Sequence, residues 1–189
     1  MNQAAPPCRT INVFAFRGDH SRVFASAFQR ALSAEKNGLG PGPSAEACLL
    51  FTGHVGVSID GGSTIYGFSP DYSGIGVSDL MDGLKNGDAF PGVVRNDTIV
   101  FDAARKHGLI LQGFEVFLPD SRFQDFIGAL DAERRNSQYS YGFPNGDGDC
   151  NCITWLERLG LPLLLGRMNE FLGLAGFSHS PSRRFGRCV

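Results

Sequence analysis

Cys152 is the side chain best placed for nucleophilic chemistry. Thiol catalysis at neutral pH needs a thiolate, which proteins secure with a helix amino terminus or a neighbouring imidazolium. A glycine-containing loop leads into Cys152, and the apolar pattern of residues 153–159 predicts a helix that begins there. The sulfur would then face first-turn N–H groups, which can also stabilise an oxyanion. The alternative is that Cys152 is a small buried hydrophobe.

His54 is the histidine most suited to act as a base, among four in the chain. It lies in an alternating segment, on the face opposite Val55 and Val57, so it projects from the side that is not simply core. Glycines near it leave room for a second group to approach. The alternative is a hydrogen-bonded histidine of the sheet, and the other three histidines are interpreted as surface residues.

Cys150 is the weaker nucleophile candidate, because it lies further out in the loop. Asp147 and Asp149 beside it would raise its pKa. Cys150 and Cys152 have no second pair of cysteine or histidine ligands at zinc-binding spacing. We therefore predict neither a metal nor another cofactor.

Two motifs together resemble a known family. The stretch GHVGVSIDGGSTIYGFSPD, which contains His54, resembles the histidine hairpin of circularly permuted NlpC-type, papain-like cysteine peptidases, a group that includes lecithin:retinol acyltransferase-like enzymes. In that permuted order the cysteine helix comes last, and NCITW at residues 151–155 matches the pattern Asn-Cys-x-Thr/Ser. The resemblance covers roughly residues 54–159. It implies a permuted papain-like core with Cys152 as nucleophile and His54 as its base.

The resemblance also implies a third residue on the return strand that orients the imidazole. The matching position holds Tyr66, whose hydroxyl is a poorer partner for imidazolium than a carboxylate. If the hairpin pairs without a bulge, Ser69 faces His54 instead, with Asp71 diagonally beyond it. Tyr141, ahead of the cysteine, is a candidate hydroxyl near the oxyanion or else a packed aromatic.

Hydrophobic periodicity predicts an α+β fold in which helices pack on a mostly antiparallel sheet. Turn signals, above all the Asp-Gly-Gly-Ser of residues 60–63, separate the expected strands. These strands are residues 10–16, 47–59, 64–68, 98–101 and 109–118.

Several residues that commonly cap helices are followed by apolar residues at helical spacing, and each such segment predicts a helix. Between the elements, residues 69–96 are rich in glycine and predict a loop-rich segment around one short helix, and the tail from about residue 178 is expected to be flexible. The expected helices are residues 19–36, 77–84, 120–136 and 153–159.

Composition limits the classes of function. The 189 residues with 42% apolar content predict a single domain over 1–189, and a net charge of −2 without a basic cluster argues against nucleic acid. No apolar stretch approaches the roughly 20 residues of a membrane helix, so we expect a protein made soluble in the cytoplasm. Five scattered cysteines favour reduced surroundings over a disulfide scaffold.

The resemblance implies cleavage of an amide (peptide) bond through a thioester intermediate. The substrates it implies are peptidoglycan peptides or a host protein, as for a bacterial toxin or effector secreted without a cleavable signal peptide. Such a protein would have an immunity or secretion partner. The alternatives are a lipid acyltransferase or thioesterase, and a catalytically inactive binding module of the same fold.

Overall fold

The computed structural model describes residues 8–109, 111–142 and 148–161, together with the backbone of residues 183–185. The elements alternate irregularly along the chain, as expected for an α+β protein. The strands are β1 (Cys8–Arg17), β2 (Gly53–Ser58), β3 (Tyr66–Pro70), β4 (Phe90–Asn96), β5 (Leu111–Pro119), β6 (Ser140–Tyr141) and β7 (Arg183–Phe185). The helices are α1 (Arg22–Lys36), α2 (Ala45–Thr52), α3 (Val77–Asn86), α4 (Thr98–Lys106), α5 (Asp120–Arg135) and α6 (Cys152–Arg158).

The strands form one sheet with the order β6-β4-β3-β2-β1-β5-β7. The first six pair antiparallel, and the short β7 pairs with β5 in parallel. The predicted α+β class with a mostly antiparallel sheet is therefore confirmed. The hairpin predicted at residues 60–63 joins β2 to β3, in the register Gly56 to Gly67.

The two faces of the sheet bury different clusters. On β1, Ala15 and the residues that alternate with it pack in the larger cluster, which also contains Cys152 and Trp155 of α6. The alternate residue Phe16 packs on the opposite face with Phe101 of α4, together with leucines of α2. Because successive strand residues point to opposite faces, these two clusters follow directly from the period of two.

The strand predicted over residues 47–59 is wrong in its first half. Residues 45–52 form α2, which begins where the Ser44 hydroxyl accepts a hydrogen bond of 3.1 Å from the Ala47 amide. Gly53, with a φ of 84°, then turns the chain from the helix directly into β2. A short apolar run fits a buried helix and a buried strand equally well, which is why the periodicity misled here.

The strand predicted over residues 98–101 is also wrong, because residues 98–106 form α4. The strand lies earlier, as β4, inside the segment predicted to be loop-rich. Asp97 joins the two elements, and its carbonyl accepts hydrogen bonds from the amides of Val100 and Phe101 at 2.9 and 3.1 Å. The Asp97 side chain at this junction is part of the candidate active site.

The described cysteines are of two kinds. Cys8 on β1 takes part in a disulfide, whereas Cys48, Cys150 and Cys152 are buried free thiols. Structural disulfides are typical of oxidising compartments, whereas the scattered cysteines of the sequence predict reduced surroundings.

Two further sequence expectations concern the ends of elements and the membrane. Most of the tail predicted to be flexible lies outside the described residues, but residues 183–185 within it form β7. Within the described ranges, no helix has the length and apolar character needed to cross a membrane.

Candidate active site

His54 occupies the second position of β2 and is buried, with 1% of its surface exposed. It pairs with Phe16 across the β1–β2 ladder. The rings of Phe16 and Phe101 lie 6.4 and 5.9 Å from the imidazole, centroid to centroid. A polar ring buried among aromatics must satisfy its nitrogens within the protein.

Asp97 provides one of these partners. Its Oδ2 atom lies 2.8 Å from His54 Nε2, and the Asp97 side chain is also buried. A carboxylate oxygen only accepts, so Nε2 carries the hydrogen and donates it. This fixes the tautomer and leaves Nδ1 as the ring nitrogen that can exchange a proton with another group.

The position of Asp97 follows from the turn between β4 and α4. Its amide donates to the Ile65 carbonyl at 2.8 Å, and the Ile65 amide donates to the Thr98 hydroxyl at 2.9 Å. These bonds hold both sides of Asp97 to the chain that enters β3. Asp97 stands at the N-cap of α4 but makes no side-chain cap bond there, which fits the direction of its carboxylate towards His54.

Gly67 on β3 makes the His54–Asp97 contact possible. A Cβ atom built on Gly67 would overlap both Asp97 Oδ2 and His54 Nε2. The glycine is therefore required by close approach and not by an unusual backbone conformation. Any side chain at this position would have to displace the hydrogen-bonded pair.

Cys152 is the first residue of α6, as predicted, and its side chain is 8% exposed. The preceding Asn151 forms a capping box with Thr154. Its Oδ1 atom accepts from the amides of Ile153 and Thr154 at 2.9 and 3.0 Å, and the Thr154 hydroxyl accepts from the Asn151 amide at 2.8 Å. The Asn-Cys-x-Thr sequence thus fixes where the helix begins, and with it the backbone of Cys152.

Cys152 interacts with the same imidazole that Asp97 holds. Burial lowers the pKa of His54, but the hydrogen bond from Asp97, a side-chain hydrogen bond with Cys152 and the charges of both groups raise it to about 10. The net direction favours an imidazolium at neutral pH. The structure thus brings Cys152 and His54 together, two residues 98 positions apart in the sequence.

An open cleft of about 390 Å³ lies beside the cysteine. Its walls include Arg17, Gly18 and His20 from the end of β1 and the following turn, together with Tyr141 and Cys152. Tyr141 is 9% exposed, and burial followed by the charge of Cys152 raises the pKa of its hydroxyl far above the ordinary value. The hydroxyl therefore stays protonated and can donate a hydrogen bond.

The third residue implied by the resemblance, Tyr66, does not contact His54 Nε2, because Asp97 holds that nitrogen. Tyr66 is the neighbour of Gly67 and points to the opposite face of the sheet, where the Arg134 guanidinium lies 4.3 Å from its ring centroid. Asp71 is engaged elsewhere, accepting from Arg95 Nη2 at 2.9 Å.

Ser69 is the other alternative for the third residue. Continuing the register from Gly56 and Gly67 sets it opposite His54, and its buried Oγ atom has no hydrogen-bond partner among the described residues. Its hydroxyl makes no bond to His54 in the structure, so the orienting role falls to Asp97.

Cys150 is buried in a different environment from Cys152. It lies in an isolated bridge with Tyr141, and its amide donates to the Ser140 carbonyl at 3.2 Å. Burial raises the pKa of its thiol to about 12, and Asp149 contributes in the same direction. This thiol is protonated at neutral pH, which agrees with its interpretation as the weaker nucleophile.

Sequence reasoning missed Asp97 because residues 98–101 were interpreted as a strand. The signal was present in the sequence, since Asp97 precedes Val100, Phe101 and Ala104 at helical spacing. An aspartate at a helix start usually caps that helix, so even a correct secondary-structure prediction would have assigned it a structural role. Only the fold shows that the side chain reaches His54.

Comparison with protein-family models, with curated proteins and with solved structures found no match to this chain.

Proposed function

We propose that the protein is a cysteine-dependent hydrolase that cleaves an amide bond through a thioester intermediate, with a permuted papain-like core. The observation that carries the proposal is the buried chain of contacts from Asp97 through His54 to Cys152, at the edge of an open cleft. A base oriented by a carboxylate and adjacent to a nucleophile is the arrangement that activates thiols in hydrolases.

The first half of the reaction uses the free nitrogen of the imidazole. Nδ1 of His54 already holds the proton given up by Cys152, in the imidazolium favoured at neutral pH. The sulfur lone pair forms a bond to the substrate carbonyl carbon while the carbonyl electrons move to oxygen. When the tetrahedral intermediate collapses, the C–N bond breaks and the amine leaves with the proton from Nδ1. The product of this half is a thioester on Cys152.

Water completes the reaction. It gives a proton to Nδ1 as its oxygen bonds to the thioester carbon, and the S–C bond then breaks to release the acid and the thiolate. Asp97 keeps its hydrogen bond to Nε2 throughout, so the ring does not rotate when its charge changes. The carboxylate stabilises the imidazolium without itself taking the proton.

The oxyanion of the tetrahedral intermediate requires hydrogen-bond donors. Tyr141 lines the same cleft as Cys152, and its raised pKa keeps the hydroxyl protonated. We assign this hydroxyl and the backbone N–H of Cys152 to the oxyanion, where one donor is typically worth about 10²–10³ in rate.

Within this class, we propose a peptide amide as substrate, either in peptidoglycan or in a host protein, and a protein delivered out of the cell that makes it. The Cys8 disulfide supports delivery, because such bonds persist outside the reducing cytoplasm. A delivered toxin of this kind would have a secretion partner or an immunity protein.

Expression in three compartments tests the proposal. Wild type, Cys152→Ala and the matched control Cys150→Ala are each produced in bacterial cytoplasm, in bacterial periplasm and in a eukaryotic cell. Peptidoglycan is reachable only from the periplasm, so lysis there with wild type and Cys150→Ala, but not with Cys152→Ala, supports a cell-wall substrate.

Cysteine-dependent damage confined to the eukaryotic cell moves the substrate to a host protein or, if lipids change instead, to the acyltransferase alternative. Identical behaviour of wild type and Cys152→Ala in every compartment contradicts the proposed function and favours an inactive binding module. Mass spectrometry of released peptides identifies the bond that is cleaved.

A further inference from the structure

We propose that Asp149 and Ser140 are positioning residues for the reaction, because together they fix Tyr141 against the start of α6, the helix that carries the nucleophile. The inference rests on the proposed function and adds two side chains to the machinery of the same site. It is carried by the hydrogen bonds between two short segments, residues 140–142 and 148–150, and by the packing of the Tyr141 ring.

The main chain ties Tyr141 to the segment that leads into Cys152. Tyr141 forms an isolated parallel bridge with Cys150. The Cys150 amide donates to the Ser140 carbonyl at 3.2 Å, and the Gly142 amide donates to the Cys150 carbonyl at 3.1 Å. The bridge partner of Tyr141 therefore lies two positions before the nucleophile in the chain.

The side chains of Ser140 and Asp149 reinforce this bridge with three more hydrogen bonds. Asp149 Oδ2 accepts from the Ser140 amide and from the Ser140 hydroxyl, both at 2.9 Å, and the same hydroxyl accepts from the Asp149 amide at 3.0 Å. The bonds from the Ser140 amide and hydroxyl lower the pKa of the Asp149 carboxyl, so it is ionised at neutral pH and accepts both of them. The two segments are thus joined directly at the residue before Tyr141.

Two glycines let the segments approach each other at the residue after Tyr141. A Cβ atom on Gly142 would overlap the backbone of Gly148, and one on Gly148 would overlap the backbone of Gly142. Because backbone cannot give way as the end of a flexible side chain can, close approach requires glycine at both positions. Tyr141 therefore lies between two fixed points, the Ser140–Asp149 pair on one side and the glycine contact on the other.

The ring of Tyr141 is held by packing on the same helix. Its centroid lies 5.7 Å from that of Phe68, and the Phe68 ring stacks on Trp155 of α6 at 5.7 Å, with 14° between the ring planes. On its other edge, the Tyr141 backbone pairs with Phe90 of β4. Main chain and ring are thus both connected to the elements around Cys152, which restricts where the hydroxyl can lie relative to the sulfur.

A donor to an oxyanion is effective only when it is in place before the charge develops. A misplacement of about 1 Å in such a group can cost about 100-fold in rate. Loosening the Ser140–Asp149 pair should therefore slow the transfer of an acyl group to Cys152. A reaction of the same sulfur that forms no oxyanion should keep its rate.

Two small probes separate these reactions without a known substrate. With p-nitrophenyl acetate, the Cys152 thiolate bonds to the carbonyl carbon and an oxyanion forms; the C–O bond then breaks, p-nitrophenolate leaves and the acetyl group stays on sulfur as a thioester. With iodoacetamide, the S–C bond forms as the C–I bond breaks and iodide leaves, without an oxyanion. Both rates are measured at pH 7 by peptide mass spectrometry of the Cys152 peptide.

The variants are Asp149→Ala, Asp149→Asn, Tyr141→Phe and the double variant that combines Asp149→Ala with Tyr141→Phe. Asp60→Ala is the matched control, because Asp60 also accepts from a serine hydroxyl and from a backbone amide, but in the turn after β2. Its Oδ1 atom accepts from the Ser58 hydroxyl at 2.8 Å and from the Thr64 amide at 2.9 Å.

We expect Tyr141→Phe to slow acylation about 100-fold, the effect of removing one oxyanion donor, and Asp149→Ala to slow it about tenfold by misplacing that donor. Asp149→Asn keeps an oxygen that can accept both bonds from Ser140, so it should retain most of the rate. In the Tyr141→Phe background, Asp149→Ala should cause no further loss, because residues that act through one group are not additive. Alkylation by iodoacetamide should be unchanged in all of them, and Asp60→Ala should resemble wild type in both reactions.

Three results would overturn the proposal: acylation by Asp149→Ala at the wild-type rate, the same loss from Asp149→Ala with and without Tyr141→Phe, or equal losses in acylation and alkylation. In each case the proposed function stands if wild-type Cys152 is alkylated faster than a free cysteine. If wild-type Cys152 reacts with neither probe faster than a free cysteine does, the proposed function fails and takes this inference with it. Thermal unfolding checks the fold, and Ser140→Ala, which removes two of the three side-chain bonds, replaces Asp149→Ala if that variant is unstable.

Discussion

Replacing Gly67 by alanine is the smallest change that should separate His54 from Asp97. The new Cβ atom would overlap both atoms of their hydrogen bond, His54 Nε2 and Asp97 Oδ2, which now lie 2.8 Å apart. An ordinary contact for a Cβ atom begins near 3.4 Å. Because the strands that pair with β3, including β4, hold the backbone of Gly67 in place, the methyl group can be accommodated only if the His54 or the Asp97 side chain moves.

The expected magnitude follows from the burial of the pair. Losing a buried hydrogen bond to a charged group costs about 1.5–3 kcal/mol of unfolding free energy. A misplacement of about 1 Å in a group that orients a base can cost about 100-fold in rate. We therefore expect Gly67→Ala to lower stability by about 2 kcal/mol and the reactivity of Cys152 by about two orders of magnitude.

Gly113→Ala is the matched control, since Gly113 also lies in a strand of the sheet. A Cβ atom there would meet the Phe14 ring at 3.6 and 3.7 Å, which is ordinary contact. The assays are urea unfolding and the rate of Cys152 alkylation in both variants and in wild type. If Gly67→Ala behaves like Gly113→Ala in both assays, the close packing of Gly67 against the pair has no functional role and the reasoning is refuted.

Four further substitutions test separate parts of the structure. Asp97→Asn removes the carboxylate that raises the pKa of His54, so NMR titration of the ring should give a pKa well below 10, and hydrolysis should slow by at least about 100-fold. An unchanged pKa would contradict the pairing of Asp97 with His54. Cys152→Ala should abolish hydrolysis while Cys150→Ala retains most of it, measured on any cleaved peptide, and equal losses would indicate a shared structural role. Glu35 accepts from the first amides of α3 at 3.1 and 2.8 Å, so Glu35→Ala should lower the unfolding free energy in urea by about 1 kcal/mol without changing Cys152 reactivity; unchanged stability would show that this cap contributes nothing.

The sequence allowed two members of the contact chain, Cys152 and His54, to be predicted, but not Asp97 at its other end. Cys152 followed from a helix start and a short motif, and the capping box of Asn151 shows why that motif marks the helix. His54 followed from strand alternation and neighbouring glycines. Both signals are local sequence patterns, and such patterns can be recognised in a single sequence.

Asp97 could not be found in this way, because its role depends on a contact between β2 and the start of α4 that no local pattern records. The apolar run of residues 98–101 was also too short to distinguish helix from strand. The same ambiguity prevented the prediction of α2 as a helix. Its sequence, AEACLLFT, has no clear apolar stripe at helical spacing, because the helix is buried against other helices.

The central claim is that His54 activates Cys152, and the pH dependence of Cys152 alkylation by iodoacetamide tests it most directly. The comparison is between wild type and His54→Gln, whose amide can still donate to Asp97. Because an imidazolium whose pKa is about 10 keeps its charge beside the sulfur, wild-type Cys152 should react faster than the variant throughout the range from about pH 6 to pH 9. In His54→Gln the rate should be at least about tenfold lower at pH 6 and should rise with pH, as it does for an ordinary thiol with a pKa near 8.5. Coinciding profiles for the two proteins would contradict the claim.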